Sequence, residues 1–552
     1  MALPDKPMLI PHSIVRLMLL IFALSSIEGR GDTSNLPVAD AIRVEASLPN
    51  SGPKGRPLPL VGSWNTGTLP HGYDPDYQIR LIEQGHHVLP WFQLDAPHGW
   101  KDINNTIAYY RKALLRCAAL GLPVTFISSQ WEKLLTDDPN FLRLPPSLNP
   151  NVIRPDGSVA AMVSPFGPVG PWAEVGRQWT QSEAMKQLQG WYSNPPKVLF
   201  ISNNEQPKLA GKDANTDQRY VDRHGTHTTD EAKRHTAGQG WVERYRAMQQ
   251  GMRNGLSNAN WKQNAIFVGY DAFGDAAFGR WAGWSDNSLY ISNRIAPWPL
   301  AWDGGSVSYY VNDWNPSTDY TVWSPQIEAM NWVFMLEEAY RLNPNFWFEM
   351  SVWDGSQPNQ PTDKRAFYAK LGQAYTPARY AGMVKFGLWL LRPRSIREYR
   401  GSTQTLDDTQ AYFENIVQAV DELYENPVLM RFWRQGSLLS NTLHQHPYQA
   451  AIPAEYVAKP RWYLLDTSID PKRPWTLATE IPIFALTLVT GKPPNREWLV
   501  FAFSPLREYS KVTVSIPQHG NSLIDSSPSG RYCVINEPSN QCKPLSNIRT
   551  SD

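Results

Sequence analysis

The sequence predicts an α/β protein: a (β/α)8 TIM barrel with a C-terminal antiparallel β-sandwich. Three observations carry this. From Leu58 onward, short apolar runs alternate with helical patterns eight times, and eight right-handed βαβ units close into a barrel. After about Pro447 the helical period stops, and β-branched or aromatic runs follow one another between Pro, Gly, Asn and Asp, the texture of a small sandwich. The length of 552 residues exceeds one small domain and suits a barrel plus an appendage.

The first strand is Leu58–Asn65, followed by an amphipathic helix at Asp74–Gln84 that stops at Gly85. His87–Asp95 is the second strand, and a helix from Asn105 to Leu120 ends at Gly121-Leu122-Pro123. Val124–Gln130 is the third strand, after which a loop with Pro165, Pro168 and Pro171 leads to a helix near Gln181–Trp191. The fourth strand, Lys197–Ser202, is entered through Asn194-Pro195-Pro196, and a helix over Gly240–Met252 precedes the fifth, Ala265–Asp271. A long aromatic loop separates it from the sixth strand, Ser306–Val311, and a helix at Gln326–Leu342. Phe346–Val352 is the seventh strand, Asp363–Gln373 a helix and Met383–Leu390 the eighth strand. The last helix, Thr409–Glu425, stops before Pro427, which cannot continue it. The appendage offers Arg461–Asp466, Ile481–Thr490, Trp498–Ser504 and Lys511–Ile516 as strands. The barrel is thus assigned to residues 58–446 and the sandwich to 447–552.

Lys and Arg total 52 against 51 Asp and Glu, a balance with no electrostatic footprint for nucleic acid. A mean hydropathy of −0.43 argues against a polytopic membrane protein. The N-terminus reads as a secretory signal over residues 1–28. Lys6 and Arg16 precede the apolar run Leu17–Leu24, and Ser25 and Ser26 follow. That run is shorter than a bilayer span, so the mature chain is expected to be secreted or periplasmic with no membrane partner after signal removal, a retained anchor being the alternative. Residues 29–57, rich in Gly, Pro and Ser, read as a linker. Three cysteines make no disulfide scaffold. Cys117 lies in a helical apolar pattern as a buried thiol, while Cys533 and Cys542 lie close enough in the tail to pair in an oxidising compartment. No CxxC pair or HExxH occurs, so no metal site is expected. No cofactor is implied, and the oligomeric state stays open.

In a barrel, chemistry sits where strands end at the C-terminal face. Strand one ends with Trp64 and Asn65, strand two with Asp95, and strand three with Gln130, Trp131 and Glu132. Strand four runs out through Asn203-Asn204-Glu205, strand six through Tyr309 and Tyr310, strand seven contains Glu349 and reaches Trp353, and strand eight offers Trp389. Glu349 is the anomaly, standing amid Phe346, Trp347, Phe348 and Met350. A lone buried carboxylate costs several kcal/mol unless paired. Its bland reading is a carboxylate satisfied by an arginine inside the barrel, and that of Glu205 is a loop acid capping the next turn. Together they gain meaning, because acids from strands four and seven lie across one barrel mouth, and a retaining glycosidase needs two carboxyls ~5–5.5 Å apart.

Asn204-Glu205 after strand four, with Glu349 on strand seven, resembles the pattern of glycoside hydrolase clan A, over about Leu58 to Met430. The resemblance implies a retaining (β/α)8 enzyme cleaving β-linked sugars in a polysaccharide or oligosaccharide. It makes Glu205 the acid/base, Glu349 the nucleophile and Asn204 a ligand of the sugar 2-hydroxyl. Tyr309 or Tyr310 would hold the nucleophile, and Trp389 would floor the −1 subsite. The chain is also loosely similar to enzymes of marine galactan breakdown, which implies a galactan, sulfated or not. Trp64, Asn65, Asp95, Trp131 and Trp353 complete the candidate sugar-binding set, since indoles stack on the apolar face of a sugar ring. Trp172, Trp281, Trp284, Trp298, Trp302 and Trp314 fall in similar loops.

Between Asp213 and His235 the sequence mixes Arg219, Arg223, His224, His227 and Arg234 with acids. A solvated charged loop is the plain reading, and recognition of a sulfate or uronate the sharper one. Asn104-Asn105-Thr106 is a glycosylation sequon. Two other functions fit the same pattern: a catalytically silent carbohydrate-binding barrel, and a lyase or hydrolase pairing Glu205 with Asp95 or Asp271.

Overall fold

The computed structural model describes residues 60–63, 75–84, 86–93, 100–128, 131–202, 208–270, 298–310, 329–330, 332–333, 336, 339–340, 342–353, 368–399, 406–444, 462–469, 483–537, 539 and 541–545. The expected signal segment and most of the linker and loop assignments fall outside these residues.

Eight strands form one all-parallel sheet: β1 (Leu60–Ser63), β2 (Trp91–Gln93), β3 (Val124–Ser128), β6 (Val198–Ser202), β7 (Ala265–Tyr270), β8 (Gly304–Tyr310), β9 (Trp347–Trp353) and β10 (Ser395–Glu398). Their order, β1-β10-β9-β8-β7-β6-β3-β2, is that of a (β/α)8 barrel opened between its first two strands. The sheet curls strongly. Trp91 of the second strand, Ile127 of the third, Leu199 and Ile201 of the fourth, Val268 of the fifth and Trp347 of the seventh meet in one buried cluster. The alternate residues, such as Phe92, Phe126, Phe200, Phe267 and Phe348, face the helices instead. Period-2 alternation with both faces buried explains why these strands read as continuous apolar runs.

The helices are α1 (Pro75–Glu83), α2 (Trp100–Leu120), α3 (Lys133–Asp137), α4 (Pro139–Leu142), α5 (Gly170–Gln181), α6 (Glu183–Trp191), α7 (Gln218–His224), α8 (Asp230–Gly255), α9 (Ala259–Asn264), α10 (Trp298–Ala301), α11 (Pro377–Leu391), α12 (Leu406–Glu425) and α13 (Pro427–Gln435). A small hairpin, β4 (Asn151–Ile153) with β5 (Val159–Val163), stands between α4 and α5. Helix α12 spans the seam between the first two strands with side chains. The Tyr77 hydroxyl of α1 donates to Glu414 at 2.5 Å. Asp421 accepts from His86 Nδ1 at 2.5 Å, from the His87 backbone N–H at 3.1 Å and from His87 Nδ1.

Three expectations need correction. The run Met383–Leu390 is not the eighth strand but most of α11; the eighth strand is the short Ser395–Glu398. Thr376 caps α11, its side chain accepting from Arg379 N, with Pro377 in the first turn. The helix is buried along nearly its whole length, so it lacks the polar face that betrays a helix, and periodicity cannot tell it from a buried strand. Second, Pro171 lies in the first turn of α5 rather than in a loop, where its missing N–H costs nothing. Third, the charged stretch after strand four is a 3-10 turn (Gly211–Thr216), α7 and the start of α8.

The appendage has two sheets. One is β11 (Ser437–Leu438), β13 (Phe484–Thr490), β14 (Glu497–Phe503), β17 (Arg531–Asn536) and β18 (Cys542–Pro544), in that order. The other is β12 (Asp466–Thr467), β15 (Tyr509–Ile516) and β16 (Gly520–Ser526). The larger sheet takes its first strand from before residue 447. One of its faces packs on the smaller sheet through Val500, Val514 and Ile524, and the other, with Phe484, Phe501 and Phe503, joins the barrel's core. Helix α11 lies at that junction: Cβ atoms at Gly382 and Gly387 would meet Pro528 O at 2.1 Å and Met350 Sδ at 2.8 Å. Cys533 and Cys542 form a disulfide between β17 and β18, and Cys117 is a buried free thiol. No described helix is long and apolar enough to cross a membrane.

Burial would raise the Asp421 carboxyl, but the hydrogen bonds from His86 and His87 outweigh it and hold it below its ordinary value. A depressed acid stabilises the fold above its unfolded pKa of ~3.9 and stops doing so as pH falls through the folded value. Asp421→Asn is therefore expected to cost about 2 kcal/mol at pH 7, with the gap to wild type closing below about pH 4. Chemical denaturation at both pH values measures it, and a gap independent of pH contradicts it.

Candidate active site

The concave face of the sheet is filled in layers. At its N-terminal side Trp347 stands between the Lys197 ammonium, 5.1 Å from the ring centroid, and the Arg394 guanidinium, at 5.6 Å. Burial lowers both cations, Arg394 to about 10. Glu349 comes two residues later on the same strand and is fully buried. In register it lies opposite Ser306 of β8 and Ser395 of β10. Both hydroxyls turn toward it. Ser306 Oγ donates to Oε1 at 2.8 Å and Ser395 Oγ to Oε2 at 3.0 Å. Arg397, two residues along β10, brings Nη2 to 2.7 Å from Oε1 and donates to Ser306 Oγ at 2.7 Å. Its guanidinium also lies 4.9 Å from the Trp91 ring centroid, across the lumen. Burial pushes the Glu349 carboxyl above its ordinary range, while Arg397 and the two serines oppose that rise.

The arginine partner was the plain reading of Glu349, and Arg397 is that partner. Nothing in Ser395-Ile396-Arg397-Glu398 announced it, because four residues with two charges read as a turn rather than as a buried strand. Ser306 and Ser395 were equally silent: a serine in a strand gives no signal until its register is known.

The other candidates divide. Glu205, Asn204, Trp64, Asn65 and Asp95 lie outside the described residues. The fourth strand ends at Ser202, three residues before Glu205. The hydrogen-bonded row from Ser202 passes through Gly269 and Gly305 to Phe348, next to Glu349. Tyr309 belongs to the helix layer: it is buried and its hydroxyl donates to Met383 O of α11 at 3.1 Å. It therefore does not touch Glu349; Tyr310 ends the strand in register with Trp353. Trp389 is displaced furthest from its expected place. It sits on α11, donates from Nε1 to Tyr532 Oη at 3.0 Å and packs on Trp433, so it fastens barrel to sandwich and floors no sugar site. Trp131 is buried against Trp179 and Phe200, outside the lumen. Trp172 packs on Trp241 and Tyr245, and Trp302 on Tyr245, as core. Trp353 is buried against Tyr399 near the end of β9. Arg219 is committed to Asp217 and to the carbonyls of Asn149 and Asn151, which weakens the reading of that stretch as an anion site. Among the described residues no group of three or more His, Cys, Asp or Glu is placed to hold a metal.

A second buried acid, Glu132, follows the third strand as the N-cap residue of α3. It is fully buried. Burial raises this carboxyl, opposed by the Lys208 ammonium and the Tyr245 hydroxyl.

No family model matches the chain, and no curated protein matches it in sequence. Among solved structures it is similar to a modular endo-β-1,4-mannanase of glycoside hydrolase family 26 from Cellulomonas fimi, at 12% identity and TM-score 0.37 over 89% of this chain and 97% of that one. It is also similar to the catalytic domain of a family 26 endo-β-1,4-mannanase from Bacillus sp. JAMB-750, at 10% and 0.35 over 74% and 98%. A family 36 α-galactosidase from Geobacillus stearothermophilus matches at 10% and 0.35 over 90% of this chain and 54% of that one. At this distance the likeness carries no argument about chemistry, which has to come from the chain's own residues.

Removing one partner of the interior pair strands the other. Glu349→Ala or Arg397→Ala is expected to cost about 3–5 kcal/mol, and Glu349→Leu with Arg397→Met far less than the sum. Urea unfolding of the three variants decides it, and additive losses would deny the coupling. For Glu132 the sign is opposite to that of Asp421: a raised acid loses stability as pH climbs above its unfolded value of ~4.3. Glu132→Gln should therefore gain on wild type as pH rises above about 4, read by thermal midpoints, and a constant difference would mark an ordinary carboxyl.

Proposed function

We propose that the protein is a secreted retaining glycoside hydrolase that cleaves β-glycosidic bonds in a polysaccharide or oligosaccharide. The observation that carries this reading is the carboxylate of Glu349 inside the curled parallel sheet, on the seventh strand, one residue from the row that contains the end of the fourth. The fourth strand leads in sequence to Asn204-Glu205, and acids on these two strands are what clan A chemistry requires. Export is supported by the N-terminal apolar run and by the Cys533–Cys542 disulfide, which persists in oxidising compartments.

In this reading Glu205 protonates the leaving oxygen while Glu349 attacks the anomeric carbon. Arg397, Ser306 and Ser395 favour the ionised form of Glu349 against the cost of its burial. Once the glycosyl ester forms, the charge on Glu349 is gone, the proton affinity of Glu205 falls, and it acts as base toward water. Asn204, Trp64, Asn65, Asp95, Tyr310 and Trp353 supply sugar contacts.

One observation favours a second reading. Glu349 has no solvent exposure and three donors on its two oxygens, the environment of a structural ion pair. A barrel in which it only holds the interior together would bind carbohydrate without hydrolysing it.

The test is a panel of β-mannans, β-galactans, sulfated galactans and β-glucans, with NMR of the first-formed anomer. Retention of configuration by wild type is expected. Glu205→Ala should lower kcat about 100-fold or more on substrates with poor leaving groups, while activated aryl glycosides still form the glycosyl-enzyme and azide restores their turnover. Binding without hydrolysis on the whole panel would leave the silent barrel as the function.

A further inference from the structure

The sandwich carries a concavity that its role of covering the barrel does not use. It has a volume of about 720 Å³, within the range of small-molecule sites. It lies where β16, an edge of the smaller sheet, meets β17 and β18 at an edge of the larger. Tyr509, Leu523 and Pro544 give it apolar surface, and Leu523 is 54% exposed. Glu508 and Asp525 add two carboxylates, Lys511 and Arg531 two cations, and Arg531 Nη2 lies 3.7 Å from Glu508 Oε1.

The wall contains an unsatisfied group. Ser526 is buried to 2% exposure, lines the concavity, and its hydroxyl has no hydrogen-bond partner. Its oxygen is enclosed: along β16 the buried positions Ser522, Ile524 and Ser526 alternate with exposed Leu523 and Asp525, so Ser526 backs the wall from the sandwich interior. The backbone around the opening is irregular: the pairing of β15 with β16 shifts between Tyr509 and Val512, and Lys511 has φ +55°. The Asp525 carboxylate accepts from Lys511 N at 2.9 Å. An edge broken in this way, opposite a three-residue strand ending in proline, is poorly suited to adding a regular peptide strand. Balanced charge disfavours a strong anion or cation. An apolar platform rimmed by two acids and two cations whose charges cancel matches a neutral pyranose, with its C–H face and its hydroxyl edge.

We propose that this concavity is a second carbohydrate-binding site, for a neutral oligosaccharide segment, on the sandwich and separate from the barrel. It rests on the glycosidase reading only for the choice of sugar. Tyr509 and Leu523 hold the ring face, while Asp525 and Arg531 bond the hydroxyls.

The experiment uses the full chain carrying Glu205→Ala to prevent turnover, titrated calorimetrically with hexasaccharides of β-1,4-mannan, β-1,4-galactan and cellulose. Two classes of site are expected. Leu523→Asp and Arg531→Ala, both at exposed positions, should each weaken one class about tenfold, a typical loss for one good contact, and leave the other unchanged. In the chain with native Glu205, the same variants should leave kcat/KM on a soluble oligosaccharide within about twofold while slowing release of product from the insoluble polymer. A single class of site untouched by either variant overturns the proposal, as does binding of an extended peptide that the hexasaccharides fail to displace. If wild type hydrolyses nothing, the glycosidase reading falls, yet a binding class lost in Leu523→Asp still supports the sandwich site and its persistence still refutes it.

Discussion

A sheet curled until side chains of strands two and seven join one buried cluster has to fill its own interior, and here part of that filling is charged. Glu349 and Arg397 meet at 2.7 Å with neither exposed to solvent. Two serines at the register positions on either side complete the carboxylate's bonds. Their small side chains leave room for Trp91 and Trp347, and the indole Nε1 of Trp347 donates to Ser395 Oγ at 3.0 Å. The interior is therefore a mutual arrangement: the pair survives burial because the serines satisfy it, and the serines are tolerable in a core because the pair and Trp347 use their hydroxyls.

The same economy of shared parts joins the two domains. Helix α11 contributes to the barrel through Met383, whose carbonyl accepts from Tyr309, and to the sandwich through Phe386, which packs on Phe484 and Phe503, and through Trp389, whose Nε1 bonds Tyr532 Oη. The larger sheet of the sandwich is apolar on both faces because each has a partner, whereas β15 and β16 alternate buried with exposed positions. The sandwich is thus a structural neighbour of the barrel, and any binding role it has belongs to its open edge.

For function, the interior sets two demands on Glu349 that pull apart. A nucleophile needs an ionised oxygen with access to substrate; a structural partner needs its lone pairs used. Arg397 serves the first by favouring charge and the second by occupying Oε1.

The repeating pattern of apolar runs and helices by itself determined a curled, all-parallel α/β sheet and most of its strands, because a parallel strand buried on both faces and an amphipathic helix leave distinct periods. It also singled out Glu349, since a charge in such a run demands a partner. It misassigned Met383–Leu390, because a helix wrapped on every side by barrel and sandwich loses its period. With that error it sent Trp389 to a sugar site, when the residue packs between domains. Tyr309 and Tyr310 could be told apart only when one hydroxyl was seen on Met383 O. Arg397, Ser306 and Ser395 became partners of Glu349 only through register between strands 43 and 46 residues away. Local sequence fixes what each segment is; which side chains share one buried volume is decided by curling the sheet, and that is where the chemistry of the acid is set.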